Sequence, residues 1–188
     1  MTISEWNERY RARTRPQDFD PEPTPLVVEI AEQLPQGRAL DLACGAGRNA
    51  LWLAQRRWTV KAVDGSEAAI ETLRFSADRL DLSIETGVAD LTGGEFHIEE
   101  GHWDLVLMCY YLQRDLLEPA KRGVAPGGTV VAIAHTPRPG EEASATRARP
   151  RELRSYFDDW QIVHYYEGES RDAAHHRPVA EIAARRPG

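Results

Sequence analysis

The chain has 188 residues, 41% of them hydrophobic and 28% charged, with a formal net charge of −7. That length supports one substantial core and leaves little for a second, and the acidic balance weighs against nucleic acid or an anionic membrane as the main partner. No apolar run approaches the roughly 20 residues that a bilayer span requires, and the polar start Thr2-Ile3-Ser4-Glu5-Trp6 has no secretory apolar region. The expectation is a cytoplasmic, single-domain protein over residues 1–188.

At the N-terminus, Trp6 and Tyr10 fall on one helical face, while Pro16, Pro21, Pro23 and Pro25 interrupt any long helix. Residues 1–25 therefore read either as an amphipathic helix packed on the body or as a lid-like segment. Arg38 to Leu42 is a short buried strand that runs through Asp41, Ala43, Cys44, Gly45 and Gly47 into a helix over Asn49 to Arg56. Gly45 and Gly47 lack the Cβ that would keep a small molecule off the backbone, and the helix start presents unpaired N–H groups. Gly45 to Ala50 matches the dinucleotide pattern with Ala as its third small residue, so a nicotinamide cofactor is one reading. Asp41 favours another, because a carboxylate just before the glycines repels a pyrophosphate and attracts an ammonium such as that of S-adenosylmethionine. Capping of the turn by Asp41 stays open beside ligand contact.

Thr59 to Asp64 is a second strand, ending on a carboxylate placed for a ribose diol, and Gly65 and Ser66 start a helix over Glu67 to Leu80. A third strand, Ser83 to Ala89, ends at Asp90-Leu91, where a carboxylate can accept from an adenine amino group beside an aliphatic side chain. Leu105 to Cys109 is a continuous apolar strand, followed by Tyr110 and Tyr111, and Arg114 to Arg122 is a helix stopped by Gly123. Pro126-Gly127-Gly128 turns the chain into a strand over Thr129 to His135. The segment 136–150, rich in Pro, Gly, Ser and charge, follows that strand's C-terminal end and is a candidate lid or a solvated loop. A short helix over Glu152 to Phe157 and strands over Gln161 to Glu167 and Val179 to Ala184 close the chain. Strands alternating with helices from Ala39 to His135 give an α/β fold with a parallel sheet covered on both faces.

Cys44 and Cys109 are the two cysteines, read as small buried hydrophobes that stay reduced, and no His/Cys spacing indicates a metal. His175-His176 and Arg185-Arg186 read as decoration of a solvated edge.

The stretch Asp41-Leu-Ala-Cys-Gly-Ala-Gly-Arg-Asn49, the Asp64-Gly-Ser66 turn, Ala89-Asp90-Leu91, Trp103 to Cys109 and Pro126-Gly-Gly128 resemble the class I S-adenosylmethionine-dependent methyltransferases. With Trp6-Asn-Glu-Arg-Tyr10 and Ala180 to Pro187, they resemble in particular the small bacterial tellurite-resistance methyltransferase-like group. The resemblance implies a Rossmann-like doubly wound, mostly parallel seven-stranded sheet with an antiparallel C-terminal edge hairpin. It implies a cofactor bed of Tyr10, Asp41, Ala43, Cys44, Gly45, Gly47, Asn49, Asp64, Gly65, Ser66, Ala89, Asp90, Leu91, Cys109 and Tyr110. Ala43 departs from the pattern, where many relatives carry Gly.

The implied chemistry moves a methyl group to a small-molecule acceptor, a soft or anionic nucleophile, leaving S-adenosylhomocysteine. His135 is the candidate base or orienting group, Tyr111 lines the methyl-transfer pocket, and Arg48 either binds an anionic acceptor or pairs with Asp41 or Asp64. An NAD(P)-dependent oxidoreductase and a non-catalytic S-adenosylmethionine-binding module are the competing readings. A monomer or homodimer is expected.

Overall fold

The computed structural model describes residues 2–12, 22–94, 96–142 and 144–188. In chain order the elements are α1 (Ile3–Ala12), α2 (Pro25–Ala31), β1 (Arg38–Leu42), α3 (Arg48–Gln55), β2 (Thr59–Asp64), α4 (Glu67–Arg79), β3 (Ile84–Val88) and β4 (Trp103–Cys109). There follow α5 (Arg114–Gly123), β5 (Val124–His135), α6 (Glu152–Ser155), β6 (Gln161–Gly168) and β7 (Val179–Arg185). The expected helix at the N-terminus is α1; Pro16 and Pro21 lie outside the described residues.

Local chemistry accounts for the boundaries. Pro25 opens α2, whose Leu26, Val27, Ile30 and Ala31 form one buried face. The Ser66 hydroxyl accepts from the Ala69 N–H at 3.2 Å and so starts α4, which buries Ala68, Ala69, Ile70, Leu73 and Ala77. Strand β5 begins five residues earlier than the turn at Pro126-Gly127-Gly128 suggests, and β4 begins at Trp103, with a register shift between Trp103 and Leu105. A bulge in the ladder absorbs the glycine turn that the sequence presents as a strand boundary.

The seven strands lie in the order β3-β2-β1-β4-β5-β7-β6. The first five run parallel, and β7 inserts antiparallel between β5 and β6. Both faces are covered, which is why the central strands read as unbroken apolar runs. Val106 and Met108 face one core with Leu117 and Phe157, while Leu105 and Leu107 face the other with Leu26, Leu53 and Leu73.

Two consequences of this topology position the site. The strand order reverses between β1 and β4, the place where open α/β sheets leave a crevice at their carboxyl ends. Because β7 runs against both neighbours, the β6–β7 connection returns to that same carboxyl rim, with His135 and Gly168 both paired to Val179.

Candidate active site

The turn after β1 is built as a hollow. Gly45 (φ +57) and Gly47 (φ +84) are both left-handed, and a Cβ on Gly45 would meet the Tyr10 hydroxyl while one on Gly47 would meet the Leu73 side chain. Ala43 also takes a left-handed φ of 54, a conformation that glycine reaches more easily. Two carboxylates flank the hollow. Asp64 ties the two turns together, its Oδ2 accepting from the Gly45 N–H and its Oδ1 from the Ser66 N–H, each at 2.8 Å. Burial pushes its carboxyl up, against those two hydrogen bonds.

Asp41 is the sharper feature. It is 1% exposed, and its Oδ2 has no hydrogen-bond partner among the described residues. Burial first, and the neighbouring Asp64 second, push its carboxyl from 3.8 up to about 7, while Arg48 and the Ala50 N–H work in the opposite direction. A buried, unmatched carboxylate oxygen beside a glycine hollow is poised for a cation that arrives from outside.

Helix α1 lies across the same hollow. Asn7 Oδ1 accepts from the Ser66 hydroxyl at 2.8 Å and the Ala68 N–H at 3.1 Å, and Ile3 packs within reach of Gly65. No residue of α1 is buried, so polar ties of this kind hold it in place.

On the other flank stands a polar cluster from four elements. Arg48, at the start of α3, donates Nη2 to Asp172 Oδ2 at 2.6 Å, and the Tyr110 hydroxyl donates to the same oxygen at 2.9 Å. The His175 ring stacks on Tyr110, with centroids 3.4 Å apart and 4° between planes, and His135 stands 5.5 Å from Tyr110 and 5.3 Å from His175. Tyr110 reaches this position through a left-handed φ of 60 at the end of β4, a strained geometry for an aromatic residue. Burial raises the Tyr110 phenol well above its ordinary value, and lowers His135, with Arg177 and Arg147 adding to the fall. Burial works to raise the Asp172 carboxyl, yet Arg48 and the Ala174 N–H outweigh it and hold it below the ordinary value.

A family model described as Tellurite resistance protein TehB matches residues 22–177. The chain belongs to the TehB family. A probable S-adenosyl-L-methionine-dependent methyltransferase TehB of Haemophilus influenzae is 27% identical over 150 residues, covering 75% of this chain and 52% of that protein. Hemagglutinin 1 of Eikenella corrodens is 26% identical over 148 residues, covering 75% and 49%. The crystal structure of TehB from Haemophilus influenzae superposes with a TM-score of 0.73 at 25% identity, covering 85% of this chain and 61% of that one. The chain thus spans about half the length of the curated relatives it matches.

In this TehB-family chain the residues expected at the site divide. Tyr10, Asp41, Ala43, Cys44, Gly45, Gly47, Asp64 and Gly65 gather at the hollow, together with Cys109 at the adjoining end of β4. Burial pushes both thiols up, so each stays protonated at neutral pH. Three others serve the scaffold. Asn49 Oδ1 accepts from the buried Thr24 N–H at 2.9 Å, Ser66 caps α4, and Leu91 sits in the core. Asp90 is an exposed turn cap whose Oδ1 accepts from the N–H and hydroxyl of Thr92, and Ala89 packs beside the core.

The two consecutive tyrosines diverge. Tyr110 stands with His135 and Arg48, while Tyr111 packs against the first core, where burial, with Asp90, Asp115 and Asp64 adding to it, raises its phenol to about 12. Arg48 pairs with Asp172 rather than Asp41 or Asp64. His175 corrects a further expectation, because it belongs to the cluster and not to a solvated edge. Arg185 is exposed, as a solvated edge requires, and donates to the Gly127 carbonyl, while the half-buried Arg186 donates to that of Val124. Asp172 and His175 are the residues that sequence reasoning missed; their one signal is a polar loop between two strands that the antiparallel pairing returns to the carboxyl rim.

Proposed function

We propose that this chain is an S-adenosylmethionine-dependent methyltransferase acting on a small-molecule acceptor, as one domain over residues 1–188. The observation that carries the reading is the buried Asp41 Oδ2, without a hydrogen-bond partner among the described residues, beside the Gly45–Gly47 hollow. It matches the ammonium of the methyl donor and opposes the pyrophosphate of a dinucleotide. Asp64 keeps lone pairs for a ribose diol after accepting its two backbone N–H groups. Ala89, Asp90 and Tyr111 take the adenine end, and Tyr10 with α1 closes over the top.

When bound, the cofactor supplies an electrophilic methyl group. The chain's own task is to hold an acceptor lone pair in line with that methyl and keep water away, and such orientation is worth about 7 to 11 kcal/mol in well-ordered systems. His135 is the proton acceptor for a protic acceptor. Its lowered pKa leaves the ring neutral at pH 7, and its buried Nδ1 has no partner among the described residues. Loop 136–150 is the acceptor-side lid, held at its base by Arg114, which donates to the carbonyls of Ser144, Ala145 and Arg147.

The acceptor is a soft or anionic nucleophile, consistent with the tellurite-resistance description of the family. Among the described residues no helix is long and apolar enough to cross a membrane. With a net charge of −7, the protein works in the cytoplasm as a monomer or homodimer and without nucleic acid.

Titration calorimetry with S-adenosylmethionine, S-adenosylhomocysteine, NAD and NADP tests the cofactor. Binding of the first two and silence toward the others is expected, and the reverse overturns the reading. A screen for S-adenosylhomocysteine release with thiols, selenium and tellurium oxyanions, phenols, amines and carboxylates tests turnover. Binding without any turnover would make the chain a sensor instead.

A further inference from the structure

Three carboxylates are buried among the described residues, those of Asp41, Asp172 and Glu181. Asp41 faces the hollow and Asp172 joins Arg48 and Tyr110, whereas Glu181 stands in the middle of β7. It is 2% exposed, and Val179 and Ala183, its same-face neighbours along the strand, both belong to the core that holds Leu26 and Leu53. An apolar side chain would fill that position without the desolvation that a carboxylate suffers, so the charge is accounted for by what it holds.

What it holds is the β6–β7 connection. Arg171 donates Nη2 to Glu181 Oε2 at 3.2 Å, and the same guanidinium reaches Glu29 of α2 through Nη1 at 2.7 Å and Nη2 at 3.2 Å. His164 Nε2 stands 3.4 Å from the same Glu181 oxygen. Glu29 is exposed, where water weakens an ion pair, whereas Glu181 is buried and locked in register between Ile133 of β5 and Tyr166 of β6. The sheet therefore supplies the fixed end of the anchor.

From Arg171 the backbone passes directly into the turn that walls the site. Asp172 accepts from Arg48 Nη2 at 2.6 Å and the Tyr110 hydroxyl at 2.9 Å through one oxygen, and from the Ala174 N–H at 3.0 Å through the other. The His175 N–H closes the turn onto the Asp172 carbonyl at 3.0 Å, and the His175 ring lies on Tyr110. Arg171 thus turns to the scaffold and Asp172 to the site, so a displacement of the first carries the second with it.

Resting on the methyltransferase reading above, we propose that Glu181 is a positioning residue for the acceptor side of the site. Acting through Arg171, it fixes the turn 172–175 where Asp172 meets Tyr110 and His175 stacks on the same ring. Its contribution is alignment, which methyl transfer needs from the wall behind the acceptor.

The test is hydrogen exchange and proton NMR on the native protein, Glu181→Gln, Glu181→Met, Arg171→Gln and the double variant Glu181→Gln with Arg171→Gln, each saturated with S-adenosylhomocysteine. Glutamine keeps the shape of Glu181 and removes its charge; methionine removes the acceptor oxygens as well and suits the surrounding core. Exchange at the Ala174 and His175 amides is expected to rise about five-fold in Glu181→Gln and about ten-fold in Glu181→Met, the loss of one charge-assisted hydrogen bond, while the β5 and β7 amides keep their protection. The His175 ring resonances should leave the positions set by the Tyr110 stack. The double variant should match Arg171→Gln within about two-fold, because Glu181 acts through that guanidinium. Equal rises across the turn and β7 would make the carboxylate merely structural and overturn the proposal. Unchanged turn exchange in both Glu181 variants overturns it too, as does additivity in the double variant. Failure of the methyltransferase reading is distinguishable, because it would appear as absence of S-adenosylhomocysteine binding in the native protein, and the exchange comparison can be read on the unliganded chains as well.

Discussion

Asp41→Asn is expected to raise stability and weaken cofactor binding together. The buried Asp41 carboxyl is pushed from 3.8 in its ordinary setting up to about 7 in the fold. The folded chain therefore holds this proton more tightly than the unfolded chain. The resulting stabilisation is fully present below about pH 4 and is lost as pH rises through about 7. A rise of about three pH units, at about 1.4 kcal/mol each, amounts to about 4 kcal/mol of charging cost near pH 8.

The asparagine keeps the shape and an oxygen for the Ala50 N–H and carries no charge. Urea denaturation should find it more stable than the native chain by up to about 4 kcal/mol near pH 8, with the gap closing toward pH 5. Calorimetry with S-adenosylhomocysteine should find the opposite ranking. Native affinity should fall about ten-fold for each pH unit below about 7, while the variant's stays flat. The comparison is made well below about pH 7.7, where an α-amino group is already half deprotonated. A variant no more stable than the native chain near pH 8, or one that keeps the native pH slope in binding, would refute the account of Asp41.

Gly45→Ala should lower the melting temperature and cofactor affinity together, since a left-handed alanine costs about 1 to 2 kcal/mol and its Cβ meets the Tyr10 hydroxyl; thermal denaturation and calorimetry check both. Asn7→Ala removes two hydrogen bonds from α1, each worth about 1 kcal/mol, so hydrogen exchange should rise across Ile3–Ala12 while the sheet keeps its protection. Arg114→Ala releases the carbonyls of Ser144, Ala145 and Arg147 along with the Glu152 ion pair. Limited proteolysis should then cut within 136–150, with S-adenosylhomocysteine affinity unchanged because Arg114 does not touch the cofactor bed.

What the sequence discloses depends on how local the determining contact is. Asp41 and Asp64 are legible because they stand at or next to the last residue of their strands, and parallel pairing brings neighbouring strand ends to one rim. Asn49 and Ser66 lie in the same turns, and their side chains engage the Thr24 N–H and the start of α4, contacts that the sequence does not display. The sorting of Tyr110 from Tyr111 turns on a left-handed φ, which sequence does not display in an aromatic residue. Asp172 and His175 are hidden by distance, since their partners lie 124 and 65 residues away in the chain and meet only after β7 has paired with both neighbours.

The antiparallel insertion of β7 makes the carboxyl rim a composite of neighbouring and distant sequence. One side consists of strand ends that the sheet itself requires, and the other is the tip of the β6–β7 connection, which Arg171 pins to Glu29 and Glu181 and Asp172 pins to Arg48 and Tyr110. Replacing residues 169–178 would therefore cost stability while it reshaped that wall, so the two sides are bound to change together.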